Sequence, residues 1–394
     1  MDHSPTQDGP GLGDAPTGGP LDGVLVADFS RVLAGPYATM MLADLGATVI
    51  KVEGPGGDDT RTWKPPVHDG TATYYLSINR NKRSIVLDLK DPGDLAVARR
   101  LAHRADVLVE NMKPGGMARF GLDHASVAAQ NPSVVYCSIS GFGPLGGAHL
   151  PGYDLLVQAV SGLMSVTGPA DGPPYRAGVA VFDVLTGLHA ALAVTAALRH
   201  RERTGEGQLL ETNLLSVALS TLVNQTEAYV AAGAVPHRMG NEHPSVFPYQ
   251  PMPCKDGDLI VIAGNDGQFR RLATVLGDPA MAEDPRFATM SDRIGHRAEI
   301  EQRLRARLAT RTAQEWYTAI TEVGVPCGPI NSVDGGVALA EQLGLEPVVR
   351  APDEAGVPTV RNPVTWSRTP PSYRRSPPPL GADSAQVRAW LDQD

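Results

Sequence analysis

The chain has 394 residues, 42% hydrophobic and 20% charged, with a formal net charge of −9 and a pI near 5.6. That length suggests two domains with a sizeable core, and the acidic balance excludes the basic footprint of a nucleic-acid binder, so any anionic ligand must be met by local cations. Cys137, Cys254 and Cys327 have no CxxC spacing, which argues against a zinc cluster or redox pair and fits reduced thiols in a cytoplasmic protein.

Residues 1–20 (MDHSPTQDGPGLGDAPTGGP) have neither the basic start nor the apolar stretch of a signal peptide and read as a disordered tail rich in Pro, Gly and Asp. No apolar run approaches the roughly 20 residues that span a bilayer, so no membrane partner is expected. Structure is expected from Leu21. VLVADF (24–29) reads as a buried strand, SRVLAG as a loop, and Pro36 suits the first turn of a helix over PYATMMLADLGA. TVIKVE is the next strand, completing a βαβ unit and predicting a parallel sheet. SIVLDL, ADVLVEN and SVVYCSIS continue the strands, with helices at 91–104 and 122–130 between them. The alternation indicates an open, Rossmann-like α/β sheet. Helices are expected at 154–164 and 183–200, the second ending in a basic turn and glycine. Residues 209–232 read as a strand and one long helix. GNEHPSVFPYQPMPCKDGD is taken as a linker to a second domain, where DLIVIAG is a strand and 267–276, 297–309 and 313–323 are helices. The last 40 residues are proline-rich and extended, with a final helix near 383–393.

Several chemistries lose their support. The turn SRVLAG lacks the GxGxxG that lets backbone approach a pyrophosphate. No GxSxG elbow and no HExxH occur, and His189 and His243 lack partners at metal-ligand spacing. Arg31, Lys51, Arg61, Lys82, Arg83, Lys90 and Arg119 lie near strand ends, where open α/β sheets bind ligands, although a charge cluster also describes a solvated face. Asp183 sits at the start of an apolar helix among Val181, Phe182, Val184 and Leu185. By position alone it reads either as a helix N-cap or as a functional carboxylate.

LDGVLVADFSRVLAGPYATMMLADLGATVIKVE, GDDTRTW, YYLSINRNKRSIVLDLK, ADVLVENMKPG, CSISGFG, PGYDLLVQAVSGLMSVTG, GVAVFDVLTGLHAA and GVPCGPIN occur in one order and spacing. In these the chain resembles the family III CoA-transferases (CaiB/BaiF-like), a group that includes formyl-CoA and carnitine CoA-transferases and the α-methylacyl-CoA racemases. The match runs from about Leu21 to about 385. GDDTRTW, YYLSINRNK and VSGLMSVTGP are similar to the succinyl-CoA:glutarate branch in particular.

The resemblance implies transfer of CoA from a dicarboxylyl-CoA such as succinyl-CoA to another carboxylic acid, with acyl-CoA as substrate and no metal. Asp183 would be the nucleophile, passing through an aspartyl anhydride and an aspartyl-CoA thioester. Racemases of the family place a histidine in a GHD segment that here reads Gly152-Tyr153-Asp154. A tyrosine with an ordinary pKa of about 10 is a poor base, so transfer is favoured over a racemase, and the intact Asp183 argues against the other alternative, a non-catalytic CoA-binding protein. CoA contacts carry over to Leu33, Ala34, Leu87, Lys90, Asn111, Met112 and Arg119, with Arg61 as a phosphate partner from its charge. Trp63, Tyr75, Phe142 and Tyr153 fall at acyl-pocket positions. Ser140 stands where some relatives carry lysine, which leaves the contact made there to be lost or supplied elsewhere. The mobile glycine run of formyl-CoA transferases is missing from MGNEHPSVFPYQ, which argues against oxalate and formate, and His243 and Tyr249 are candidates to shape the pocket instead. The implied fold is a large α/β domain (21–225 and 345–394), linkers and a smaller α+β domain (226–344), and an interlocked homodimer.

Overall fold

The computed structural model describes Leu12 and residues 17–393; residues 1–11 and 13–16, most of the expected tail, lie outside the described residues. Leu12 is not tail-like. It is buried against the core, and its carbonyl accepts from Arg83 Nη2 and Gln386 Nε2. Thr17 and Gly18 donate their N–H groups to Asp22, so ordered chain precedes Leu21.

The chain divides into two units. The larger takes the chain up to Ser161, Ala177–Ala232 and the chain from Glu346 on. Its centre is a sheet of six strands: β1 (Leu25–Asp28), β2 (Thr48–Glu53), β3 (Lys82–Val86), β4 (Val107–Glu110), β5 (Val135–Ser140) and β6 (Gln208–Asn213). All pairings are parallel, in the order β3-β2-β1-β4-β5-β6. This is the order of doubly wound nucleotide-binding sheets, which reverses between β1 and β4 and opens a crevice at the carboxyl ends there. β1, β2 and β4 are buried at every position, as strands covered on both faces must be. Leu25, Ile50, Ile85 and Leu108 pack with Val97 and Leu101 of α2 (Pro92–Arg104) and with Val387 and Leu391 of the final helix, Ser384–Leu391.

The proline-rich segment after Glu346 is fastened to the large unit by buried polar groups. Asp44, which ends the helix α1 (Ala34–Asp44), accepts two bonds from Arg80 (2.8 and 2.6 Å) and one from Asn81 (2.9 Å). Asn81 in turn donates to the Ser372 carbonyl and accepts from the Arg374 N–H.

The smaller unit comprises Gly162–Arg176 and Gly233–Leu345. It is built on an antiparallel sheet of Tyr249–Pro253, Asp258–Ile262 and Cys327–Pro329, with the middle segment central. Phe269, Leu272, Ile300, Leu304, Trp316 and Ile320 cover that sheet. Two expectations fail here. Tyr249–Pro253, read as linker, is a strand; Pro251 and Pro253 disguise it, but the strand lies on the sheet edge, where proline costs no ladder bond. Gly162–Arg176, read with the large domain, belongs to this unit, where Arg238 donates to the Pro169 and Gly172 carbonyls.

Two expected helices are broken. Gly162 (φ +99°) ends the Asp154–Val160 helix, α3, and Val223 (φ +44°) divides 214–232 into Leu214–Thr221 and Asn224–Ala232. The helix α4 (Val181–Thr204) is longer than expected, and its length and composition would let it cross a membrane. It is a half-buried helix of the larger unit, with Thr186, Gly187, Ala190, Ala191 and Val194 turned inward.

Removing one partner of a buried ion pair leaves the other charge desolvated, at a cost of about 3–5 kcal/mol. With Asp44 1% and Arg80 5% exposed, Asp44→Ala is expected to lower the urea midpoint accordingly at unchanged m-value, and Asp44→Asn to lower it less.

Candidate active site

The loop that leaves β1 has nearly every backbone polar group tied down. Ser30 N–H and hydroxyl both donate to Asp28 Oδ1. The Ser30 carbonyl accepts from Lys51 Nζ (3.0 Å). Asn111, which follows β4, brackets Arg31, accepting from its N–H (2.9 Å) and donating to its carbonyl (2.7 Å). Val32 N–H donates to Asp58 Oδ2 (3.2 Å), which also meets Lys51 Nζ at 2.8 Å. Leu33 then precedes the first turn of α1 and is buried.

The helix carrying Asp183 touches that point. A Cβ built on Gly187 would lie 2.7 Å from the Ala34 carbonyl oxygen and 3.1 Å from Tyr37 Cδ1, so α4 and α1 meet with no room for a side chain. Asp183 precedes Gly187 by one turn on the same face, which brings it within a turn of the start of α1.

Asp183 is not the helix cap. The N-cap residue is Ala180, and the capping carboxylate comes from Asp154 at the start of α3. Asp154 Oδ1 accepts from the Phe182 N–H (2.8 Å) and the Asp183 N–H (3.2 Å), and its Oδ2 accepts from Gln158 Nε2. Gln158 also accepts from Ala177 N–H and donates to the Val179 carbonyl, fixing the approach to the helix. Asp154 is set by two glycines: Gly141 and Gly152 are packed so closely that a Cβ on either would lie under 3 Å from the other's backbone. The end of β5 and the Tyr153–Asp154 turn therefore meet backbone to backbone.

This arrangement leaves Asp183 short of stabilisation. Burial, and then the charge of Asp154, push its carboxyl up to about 7. Asp154 takes the N–H groups that would otherwise favour a negative charge at this helix end. Among the described residues, no cation pairs with Asp183.

The remaining expected residues divide into groups. Leu87 and Met112 line one cavity of about 210 Å³ with Arg31, Gly54, Pro55 and Leu89. Lys90 and Arg119 are exposed, Arg119 with its guanidinium over the Phe120 ring. Asn111 commits its side-chain amide to Arg31, so only its backbone is left for a ligand. Arg61 is likewise engaged: it grips Glu53 with two bonds (2.8 and 2.7 Å), reaches Tyr75 Oη at 2.6 Å and donates to the Pro378 carbonyl. Its charge suggested a phosphate, but Glu53 already answers it.

Tyr75 is fully buried under that guanidinium, its hydroxyl donating to Pro378. The tyrosine within electrostatic reach of Asp183 is its neighbour. Tyr74, passed over in the sequence, is pushed up to about 12 by burial and then by the charges of Asp183, Asp154 and Asp58. Trp63 stands edge-on to the Tyr74 ring at 5.0 Å. The YY pair offered no periodicity to choose between its members, since a one-turn helix (Thr73–Leu76) carries both. Phe142 is half-buried against Gly147. Tyr153 is 66% exposed.

A doubly wound sheet whose switch point holds a pinned turn without the GxGxxG glycines, beside a destabilised carboxylate, suits acyl chemistry rather than dinucleotide chemistry. The profile of CoA-transferase family III matches residues 21–384, and the chain belongs to that family: it is a CoA-transferase. It is 47% identical over 383 residues to the succinate–glutarate CoA-transferase of Agrobacterium fabrum, covering 95% of this chain and 96% of that one. It is 41% identical to the mouse succinyl-CoA:glutarate CoA-transferase over 93% of this chain and 85% of that one. Among solved structures, a CaiB/BaiF family protein from Brucella suis superposes with a TM-score of 0.86 at 41% identity, covering 95% of this chain and all of that one.

Two outcomes follow. A carboxyl raised to about 7 is protonated below that pH, so kcat/KM should fall as pH drops through about 7, and Asp154→Asn should move that acid limb down while keeping an acceptor for the helix. Gly187→Ala should cut kcat by wedging α4 away from Ala34, a displacement of about 1 Å being worth up to about 100-fold.

Proposed function

We propose that the chain transfers CoA from succinyl-CoA to glutarate through covalent intermediates on Asp183. The observation that carries the mechanism is the Asp183 environment: a half-buried carboxylate with no cation among the described residues and a second carboxylate at its back is raised in energy when ionised, and is thus a better nucleophile. The dicarboxylates are supported by the names of the relatives sharing 40–47% identity over nearly the whole chain.

Asp183 attacks the succinyl thioester carbonyl; the C–S bond breaks and CoA leaves as thiolate, giving a succinyl–aspartyl anhydride. The thiolate attacks the aspartyl carbonyl, releasing succinate and leaving aspartyl-CoA. Glutarate then attacks that thioester, freeing CoA thiolate and forming a glutaryl–aspartyl anhydride. Thiolate attack on the glutaryl carbonyl yields glutaryl-CoA and restores Asp183. The residues assigned to CoA are Leu33 and Ala34 at the turn, Leu87 and Met112 in the cavity, the Asn111 backbone, and Lys90 and Arg119 for the phosphates. Trp63, Tyr74 and Phe142 are assigned to the acyl group.

The enzyme is proposed to act as an interlocked homodimer in the cytoplasm. Support for a second copy comes from surface that one copy leaves open. Asn224–Ala232 buries none of its residues, and Tyr229, Val230 and Leu192 of α4 are exposed.

Incubation with succinyl-CoA followed by hydroxylamine or borohydride should leave a modification on the Asp183 peptide by mass spectrometry, absent in Asp183→Ala. If no acyl-CoA in a panel modifies wild-type protein, the covalent mechanism is wrong. In steady-state assays with succinyl-CoA, glutarate should give a higher kcat/KM than oxalate, and the reverse order would reject the acceptor assignment.

A further inference from the structure

Val32 has φ +67°. A β-branched residue in the left-handed region is a genuine outlier, and such a conformation persists only where its surroundings over-determine it. Its position gives the strain a use. Val32 is the last residue before Leu33 and Ala34, and Ala34 is the residue whose carbonyl lies against Gly187, one turn from Asp183. Whatever sets φ at Val32 sets where the first turn of α1 stands relative to the nucleophile.

The side chain that meets the Val32 N–H is Asp58. It comes from a different segment, just after β2, and is itself 2% exposed. Four groups hold it. Oδ1 accepts from Thr60 N–H (3.0 Å) and Thr60 hydroxyl (2.7 Å), Asp58 N–H donates to Glu53 Oε2 (2.9 Å), and Oδ2 meets Lys51 Nζ at 2.8 Å. Lys51, wholly buried, also donates to the Ser30 carbonyl (3.0 Å). One lysine and one aspartate thus clamp both ends of the Arg31 peptide pair, the Ser30 carbonyl and the Val32 N–H. The remaining bond of Asp58 Oδ2 is the one it accepts from the Val32 N–H, at 3.2 Å.

We propose that Asp58, braced by Lys51, is a positioning residue for the transfer reaction: it holds Val32 in the left-handed conformation and thereby registers the start of α1 against Asp183. This rests on the assignment of Asp183 as nucleophile. Asp58 touches no reacting atom in this account; it acts through the Val32 N–H. Asp58 also lines the cavity assigned to CoA, but its carboxylate oxygens are committed to Thr60, Lys51 and Val32, so its loss falls mainly on the chemical step.

The test is a rescue. Asp58→Asn keeps size and the Thr60 contacts but removes the charge that Lys51 pairs with and can turn an amide N–H toward Val32. Its kcat should fall by about 100-fold, the size expected of a roughly 1 Å misplacement, with KM for the acyl-CoA within about threefold of wild type. Glycine adopts positive φ at no steric cost, so Val32→Gly added to Asp58→Asn should recover at least about a tenth of wild-type kcat. If Asp58 served only to neutralise Lys51, glycine at position 32 would restore nothing. A wild-type kcat in Asp58→Asn, or a loss that Val32→Gly does not relieve, overturns the proposal. If Asp58→Asn does not fold, Val32→Pro decides instead, because proline fixes φ near −65°; it should abolish turnover while CoA still binds, and an active Val32→Pro enzyme overturns the proposal. Variants are compared with wild type on whichever of succinyl-, glutaryl- or acetyl-CoA the wild type uses. A wrong donor then shows in the wild type alone, whereas a wrong role for Asp58 shows in the ratio.

Discussion

Cations placed out of reach of water dictate much of the large unit. Lys51 and Lys82 are fully buried, and Arg83 and Arg80 nearly so. A buried charge is tolerated only when paired and hydrogen-bonded, and the surrounding chain is arranged to that end. Lys82 meets Asp28, the Pro36 carbonyl and Asn79; even so, burial draws it down to about 8. Lys51 meets Asp58 and the Ser30 carbonyl. Because Asp28, Glu53 and Asp58 lie at or just beyond the carboxyl ends of β1 and β2, the pairing that satisfies these charges also fixes the loops over the crevice.

That pairing distinguishes the carboxylates. Burial alone would raise Asp28, Glu53 and Asp58, yet each is held below its ordinary value, by Lys82 and Lys51 for Asp28, by Arg61 and Lys51 for Glu53, and by Lys51 for Asp58. Asp183 and Glu110 are raised by the same burial with no cation to oppose it. Glu110 accepts from the Ser138 hydroxyl and the Met112 N–H, which makes it a brace for the turn after β4. Asp183 has a carboxylate behind it in place of such donors. Of the acids at this end of the sheet, it is the one whose charged form has most to gain by bonding to an electrophile.

The sequence conveyed the sheet because parallel strands buried on both faces leave continuous apolar runs, and VLVADF, TVIKVE and ADVLVEN are such runs. It conveyed Asp183 through family-specific motifs, whereas local pattern alone favoured a helix cap. What it hid were relations between distant segments. Asp154 caps the helix from 29 residues away, so no spacing rule could assign it. Arg61 looked available because its partners Glu53, Tyr75 and Pro378 converge only in the fold. Tyr74 and Tyr75 are adjacent in sequence and opposite in fate, one within electrostatic reach of Asp183 and one sealed beneath an arginine. The Tyr249–Pro253 strand was concealed by prolines that an edge position permits.

The missing glycines in SRVLAG carry a physical meaning beyond the exclusion of a dinucleotide. In nucleotide-binding sheets the glycine turn leaves backbone bare so that a pyrophosphate can approach the helix N-terminus. Here the same turn at the same switch point is made by Val32 and Leu33, and the freedom that glycine would have supplied is replaced by side-chain bonds from Asn111, Lys51 and Asp58. A bare turn accommodates many ligands that carry phosphate. A turn with side chains, locked from three directions, has few backbone groups left to offer a phosphate. The doubly wound topology thus keeps its crevice at the switch point, while the turn there is closed by side-chain bonds in place of the bare backbone that a pyrophosphate needs.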